Sequence, residues 1–227
     1  YNIKKLKTIP LFSGLSDEYL EKIDSISTTL QFNKGQIIFH EGDKANGFYM
    51  VEKGKIKVFK LSYEGKEQIL CILRPGDSFN DVPVFDGGTN PASALAMTPV
   101  TLYGITRSDM LALLREHPDI AINIIGDLAG KVRHFVSMVE DLSFRHVTSR
   151  VARLLLKYAG DHQRHDGAIG TAPRLTQQDM AAMVGTAREV VGRSLKALEE
   201  DGAIRMDRHR IVVVDKELLE EMSGNAA

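Results

Sequence analysis

The sequence predicts an α+β protein with an N-terminal double-stranded β-helix (jelly roll), one long helix and a C-terminal winged helix-turn-helix domain. Three observations support this prediction: short apolar runs punctuated by glycines up to Gly104, a helical stretch without proline after Pro118, and two short helices joined at Gly185. We expect the three parts to comprise residues 1–117, 118–144 and 145–227.

The composition is that of an ordinary globular protein. The chain has 227 residues, 43% of them hydrophobic and 26% charged, which is enough to bury a core in two small domains. No apolar stretch approaches the roughly 18 residues of a membrane-spanning helix, so we expect a cytoplasmic protein with no membrane partner. The net charge of -1 means that any DNA contact must come from a local basic surface.

The N-terminal part contains short strands separated by turns. Apolar runs predict strands at 37–39, 48–51, 55–59, 68–73 and 100–105. Turn sequences such as Gly42-Asp43 and Pro75-Gly76 divide them, a spacing typical of a barrel or roll. The apolar residues that precede the strands predict short helices packed on the roll; they include Leu6, Ile9, Leu11, Phe12, Leu15 and Leu20.

The long helix after Pro118 carries a regular apolar pattern. Spacings of 3, 4, 3, 4 and 3 connect Ile125, Leu128, Val132, Phe135, Val139 and Leu142. This is the pattern of a coiled-coil seam, which predicts pairing with a second copy of the helix. The alternative is an amphipathic helix packed on its own domain, and one helix can do both.

The C-terminal part contains two short helices in close succession. Thr176 with Asp179, and Thr186 with Glu189, match the capping-box spacing at two successive helix starts. Gly185 lies between them, where the first helix must end in a left-handed turn. Two short capped helices with a glycine turn indicate a helix-turn-helix.

The second of these helices has one apolar and one polar face. Val191, Leu195 and Leu198 define the buried face, and the opposite face carries Arg188, Glu189, Gly192, Arg193 and Lys196. Arginine can donate to guanine O6 and N7, and glutamate can accept from cytosine N4, so we expect this face to recognise bases. The alternative, a merely solvated surface, leaves the caps, turn and clustered charges unexplained. Arg205, Arg208, His209 and Arg210 then predict a basic wing that contacts phosphate.

Residues 175–195 resemble the helix-turn-helix signature of the bacterial regulators typified by the cyclic-AMP receptor protein and the fumarate-nitrate reduction regulator. Residues 38–54 are similar to the first signature of that family's cyclic-nucleotide-binding roll, and the resemblance extends over nearly the whole chain. It implies an effector-controlled homodimer that binds palindromic operators, with recognition helices ~34 Å apart, and that contacts RNA polymerase. It also implies that Arg188, Glu189 and Arg193 read the half-site, and we expect Gln177, Gln178, Lys196 and Thr186 to contact DNA beside them.

The resemblance fails where nucleotide-binding members hold the cyclic phosphate. Their cassette runs Gly-Glu, then Leu-Phe and later Arg-Ser-Ala, whereas this chain has Asn80-Asp81 and, at the arginine position, Pro91. The two hydroxyl residues of the long helix correspond to Phe135 and Val136. Because a buried phosphate needs a charge-assisted donor, we expect that cyclic AMP does not bind in the usual way.

The effector is therefore open. An iron-sulfur cluster needs several cysteines, and Cys71 is the only one. Haem or another apolar effector remains an option in the pocket expected between roll and long helix, with Cys71, Asp81, Val132, Phe135 and Val136 as its expected lining. Cys71 has two interpretations, a thiolate ligand or redox sensor and a small buried hydrophobic residue.

Two other functions compete with a regulator. A metal-dependent barrel enzyme needs two or three convergent histidines with a carboxylate, and the roll contains only His40, so we expect neither an enzyme nor a metal site. An effector-binding module without DNA activity is the other alternative, and DNA binding itself distinguishes the two. The sequence leaves open whether binding activates or represses transcription.

Overall fold

The chain folds into two units, each described here by itself. The computed structural model describes Leu6, Lys7, Ile9, Phe12 and residues 15–160, 175–207 and 210–224. One unit comprises residues 1–62 and 69–133, and the other comprises 63–68 and 134–227. Leu11, Arg208 and His209, which entered the predictions above, lie outside the described residues.

The first unit contains the predicted roll, built from two four-stranded sheets. In chain order its strands are β1 (Ser27–Phe32), β2 (Ile37–Phe39), β3 (Phe48–Lys53), β4 (Ile56–Leu61), β5 (Glu67–Leu73), β6 (Ser78–Phe79), β7 (Ser93–Ala96) and β8 (Val100–Ile105). One sheet has the order β1-β8-β3-β6 and the other β2-β7-β4-β5. All five predicted strands are present, and β1, β6 and β7 are additional.

Strand β3 shows why its sequence is apolar throughout. Alternate side chains of a strand point to opposite faces. Phe48 and Met50 belong to a core cluster shared with the helices, whereas Tyr49 and Val51 belong to a second cluster that unites residues of both sheets. The strand is therefore buried on both faces, and a continuous apolar run replaces the usual alternation.

Helices cover one side of this roll. They are α1 (Asp17–Ile26), α2 (Asp81–Asp86), α3 (Arg107–Glu116) and α4 (Pro118–Phe144), and α4 has the bounds expected from the sequence. The predicted packing of the N-terminal residues is confirmed for Leu6, Ile9, Phe12 and Leu20, which are all buried in the first cluster. Although α4 has 27 residues, no helix in the described part of the chain combines the length and apolarity needed to cross a membrane.

The exposed face of α4 differs in part from the predicted seam. Leu128 is partly buried against the core of the first unit, next to the buried Ile124. Apart from Phe144 at its last position (84%), the most exposed apolar side chains of α4 are instead Ile122 (66%), Ile125 (64%), Val132 (59%), Val136 (62%) and Val139 (63%). Together with the exposed Ala129 they recur at intervals of three and four residues. We call this set the α4 stripe.

The second unit has its own apolar core. Its further elements are α5 (Val147–Gly160), α6 (Gln177–Val184), α7 (Arg188–Glu200), β9 (Ile204–Asp207), β10 (Arg210–Val213) and α8 (Lys216–Met222). Strands β9 and β10 form an antiparallel hairpin, as predicted for a wing. One buried cluster joins α5, α6, α7 and the hairpin, and it contains Leu155, Met180, Leu195 and Val213. This cluster fixes the orientation of the two helices of the predicted motif.

Candidate nucleic-acid interface and effector site

Helix α6 begins with the predicted capping box. Thr176 Oγ1 accepts a hydrogen bond of 3.0 Å from the backbone N–H of Asp179, and Asp179 Oδ2 accepts one of 3.1 Å from the backbone N–H of Thr176. These bonds satisfy N–H groups that have no partner within the helix. The first helix of the motif therefore starts where the sequence pattern indicated.

The turn between the helices requires glycine. Gly185 ends α6 with a φ of 71°, in the left-handed region. A side-chain Cβ at this position would lie 2.5 Å from Leu142 Cδ2, at the end of α4. The left-handed backbone conformation favours glycine here, and a larger residue would also have to displace the end of the Leu142 side chain. Leu142, predicted to lie on the seam, thus packs against this turn.

The predicted capping box at the start of α7 is wrong. The cap position is Ala187, whose extended backbone precedes Arg188, and no side chain caps this helix. Because the helix starts one residue later than the pattern implied, Thr186 is outside the cap and Glu189 is the second helical residue. Glu189 remains in the first turn, where its negative charge interacts favourably with the positive end of the helix dipole.

Helix α7 separates its buried and exposed faces as predicted. Val191, Leu195 and Leu198 are buried, whereas Arg188, Glu189, Arg193 and Lys196 are exposed. Ser194, which sequence inspection did not single out, is also buried, and its Oγ lies 3.2 Å from Thr148 Oγ1 on α5. Lys196 Nζ is 3.5 Å from Glu200 Oε1, with both side chains well exposed, so this contact leaves the lysine available to other partners.

The remaining predicted DNA residues lie on α6 and in the turn. Gln178 is exposed, whereas Gln177 and Thr186 are half-buried. Gln177 Oε1 would be 3.7 Å from a Cβ at Gly192, so its amide lies beside the middle of α7. Gln177 thus packs beside α7, and its contact with DNA stays a prediction.

The wing is attached to α7 by a side chain that the sequence did not reveal. Glu199 Oε1 accepts a hydrogen bond of 2.7 Å from the backbone N–H of Met206 on β9. Arg205, on the same strand, is exposed. The acidic end of α7 thereby orients the strand that carries the predicted basic residue.

In the first unit, Asp81 belongs to a polar cluster centred on Lys131. Its side chain is 6% exposed, and its Oδ2 lies 2.5 Å from Lys131 Nζ on α4. Lys131 Nζ also contacts Asp127 Oδ2 at 2.7 Å and donates to the backbone oxygen of Ser78 at 3.0 Å. The other oxygen of Asp81 is buried with no hydrogen-bond partner among the described residues.

Charge interactions stabilise the ammonium form of Lys131. Burial lowers the pKa of this group, but the ion pair with Asp81 and the contacts with Asp127 outweigh burial, so the net pKa is raised. Burial likewise raises the pKa of the nearby Asp77 carboxyl, against the opposing hydrogen bond from the Arg74 backbone. Sequence inspection missed Lys131, although its spacing of four from Asp127 on a helix was a usable signal.

The other predicted effector residues lie on β5 and on α4. Cys71 is half-buried against the cluster between the two sheets, in apolar surroundings. Val132 is exposed in the first unit, and Phe135 and Val136 lie in the second unit, exposed at 42% and 62%. Pro91 is exposed. That Cys71, Val132, Phe135 and Val136 line an effector site stays a prediction.

These features define a DNA-binding regulator with a cyclic-nucleotide-binding type of roll. Residues 29–117 match the family model of the cyclic nucleotide-binding domain, and residues 149–222 match that of the Crp-like helix-turn-helix domain. The cyclic AMP receptor protein of Thermus thermophilus is 34% identical over 222 residues, which cover 98% of this chain and 100% of the relative.

Solved structures share the same architecture. A mutant of CooA from Carboxydothermus hydrogenoformans superimposes with a TM-score of 0.79 at 23% identity, covering 94% of this chain and 95% of that one. The c-di-GMP-responsive global regulator CLP of Xanthomonas campestris gives a TM-score of 0.78 at 22% identity, covering 87% and 99%. These two likenesses concern the fold.

The chain belongs to the CRP/FNR family of DNA-binding transcription regulators, named for the cyclic-AMP receptor protein and the fumarate-nitrate reduction regulator. Members of this family regulate transcription and are not enzymes, which removes the barrel enzyme from consideration. The family binds DNA as dimers. The family does not by itself determine the effector.

Proposed function

We propose that this protein is a cytoplasmic, homodimeric transcription regulator that recognises palindromic operators with Arg188, Glu189 and Arg193 of α7. The observation that carries the proposal is the exposed polar face of α7, opposite a buried apolar face and preceded by a left-handed turn that favours glycine. Arginine and glutamate on one face of a helix in the major groove can distinguish base edges. Gln177, Gln178, Thr186 and Lys196 add phosphate and sugar contacts, and Arg205 does so from the wing.

The dimer forms through the α4 stripe. Five β-branched side chains of this stripe are each about 60% exposed in a single chain, at intervals that suit a parallel helix pair. The small residues Gly126, Ala129 and Gly130 lie among them and allow close approach of two helices. The pairing places two copies of α7 on successive major grooves, from where the dimer contacts RNA polymerase.

Cyclic AMP is not the effector. Pro91 has no side-chain donor for a cyclic phosphate, and Lys60, whose Nζ donates to the Pro91 backbone oxygen at 3.2 Å, is paired with Glu41 at 2.8 Å. Lys131 is likewise engaged, by Asp81 and Asp127. The surroundings of Lys131 carry an excess of negative charge, because three carboxylates, those of Asp77, Asp81 and Asp127, interact with this one ammonium group. This excess opposes the binding of an anionic ligand. The residues therefore do not fit the nucleotide that names the Thermus relative.

Selection from random duplex DNA tests the DNA-binding part of the proposal. We expect the wild-type protein to enrich a palindrome. We expect Arg193→Ala to lower operator affinity by about 1–3 kcal/mol and relax preference at one base pair, because a bidentate arginine contact carries both effects. Lys216→Ala, on the exposed face of α8, serves as the control and should bind like wild type. Enrichment of no palindrome would leave an effector-binding module as the better description.

Ligand titrations test the effector part. Calorimetry with cyclic AMP should give no saturable heat, and tight binding would contradict the charge argument. Haem addition separates the two interpretations of Cys71: a Soret shift that Cys71→Ala abolishes indicates a thiolate ligand, whereas no shift leaves Cys71 as a packing residue.

A further inference from the structure

The end of α4 is tied to α5 through one carboxylate, that of Asp141. The helical chain is interrupted at Arg145 and His146 before α5 begins. Asp141 Oδ1 lies 2.9 Å from Arg145 Nε, and it accepts a hydrogen bond of 2.8 Å from Arg153 Nη1. The Asp141 carboxylate on α4 thus contacts both Arg145, between the two helices, and Arg153, on the second turn of α5.

Other bonds bring a third helix to the same place. Arg150 Nη1 donates to the backbone oxygens of Arg145 at 2.9 Å and Asp141 at 3.4 Å, and the Asp141 oxygen also accepts a hydrogen bond of 3.2 Å from the backbone N–H of Arg145. Arg145 Nη1 donates to the backbone oxygen of Ser223 at 2.8 Å, at the end of α8. The joint between α4 and the DNA-binding helices is therefore a bonded network.

Burial makes Asp141 the effective centre of this network. Its side chain is 22% exposed, and those of Arg145 and Arg153 are 19% and 33% exposed. Charge-assisted bonds to a guanidinium are strong and directional when partly shielded from water. The adjacent Glu140 is 54% exposed and 3.7 Å from Arg145 Nη2, so its contribution is small.

We propose that Asp141 is a positioning residue for operator recognition, which fixes the angle between α4 and α5 and thereby selects one spacing between operator half-sites. The proposal rests on the proposed dimer through α4. In that dimer, symmetry repeats the angle in both chains, so any freedom in it moves the two α7 helices relative to each other. Each base pair inserted between half-sites shifts them by ~3.4 Å and turns them by about a tenth of a helical turn. A rigid joint tolerates neither change.

The test measures, for the full-length chain, how operator affinity depends on the spacing between half-sites and on the half-site sequence. The palindrome selected by the wild type is rebuilt with one base pair inserted or removed between the half-sites, and affinities are measured by gel shift at fixed salt. For the wild type we expect each change to weaken binding by roughly tenfold or more. Asp141→Asn keeps the shape of the side chain but removes its charge. For this variant we expect each change of spacing to lower operator affinity by less than about threefold, while the preference for the half-site sequence is unchanged.

Matched variants separate positioning from stability. Glu140→Gln removes a charge from the next residue and should keep the wild-type dependence on spacing. Arg153→Gln should loosen the dependence on spacing as Asp141→Asn does, and the double variant should add little to Asp141→Asn, because both single variants weaken the contact between Asp141 and Arg153. Arg153→Gln also carries the test if Asp141→Asn does not fold, since it leaves Asp141 paired with Arg145.

The outcomes are distinguishable. Wild-type dependence on spacing in both Asp141→Asn and Arg153→Gln overturns the role of Asp141 while leaving the proposed function intact. Equal loosening by Glu140→Gln also overturns it, because the effect would then follow net charge. A wild-type protein that enriches no palindrome overturns the proposed function and this inference with it.

Discussion

Replacement of Lys131 by methionine should strongly destabilise the first unit. The change leaves the Asp81 carboxylate, 6% exposed, without its cation, while the apolar stem of residue 131 is preserved. Removal of one partner of a buried ion pair costs about 3–5 kcal/mol. Because the Lys131 side chain is 29% exposed, part of its charge is already solvated, and we expect the lower end, about 3 kcal/mol. This corresponds to a fall in Tm of roughly 6–12 °C.

Urea unfolding at pH 7 measures this loss. Circular dichroism and tyrosine fluorescence should be followed together, since coincident curves are needed to treat the transition as two-state. The double variant Asp81→Asn, Lys131→Met should recover most of the stability, because no buried charge remains without a partner. Lys216→Met removes an ion pair whose side chains are 64% and 47% exposed, so it should cost under about 1 kcal/mol. The argument is refuted if Lys131→Met has the same urea midpoint as Lys216→Met. It is also refuted if the double variant is no more stable than Lys131→Met.

The remaining predictions concern pH, caps, glycines and the dimer. The folded-state pKa of Lys131 is raised, so its ion pair contributes fully to stability below the ordinary lysine pKa of 10.5, and this contribution is lost as pH rises through the folded-state pKa. In urea titrations at high pH, Lys131→Met should therefore lack the loss of stability that the wild type shows. Thr176→Ala should cost about 1 kcal/mol of unfolding free energy, whereas Thr186→Ala, which caps nothing, should cost under about 0.5 kcal/mol. Gly185→Ala should cost about 1–2 kcal/mol by the same assay, because alanine is strained in the left-handed conformation. Gly192→Ala, in the middle of α7, makes only an ordinary contact and should stabilise by about 0.5–1 kcal/mol. Val136→Asp, on the α4 stripe, should give a folded monomer by sedimentation and lose operator affinity; a dimer that persists at micromolar concentration would place the interface elsewhere.

Local patterns in the sequence determined much of the architecture. The strands with buried faces, the bounds of α4, the cap at Thr176 and the turn at Gly185 each follow from residues close together in the chain. Hydrophobic periodicity, proline at a helix start and glycine in a left-handed turn act through the local backbone, so they need no knowledge of distant partners. The polar face of α7 was predictable for the same reason.

Only the tertiary structure decided which of these residues acquire partners. The Thr186 pattern resembles a cap, yet Ala187 takes that position, because packing of α7 on α5 and α6 sets where the helix begins. Asp81 and Lys131 are 50 residues apart in sequence, and Asp141 and Arg153 lie on different helices. Burial and ion pairing depend on how helices pack, and packing joins residues whose separation in the chain carries no signal of their contact. The sequence alone thus determined the helices and the exposed polar face of α7, whereas the fold decided the ion pairs that hold the helices in place.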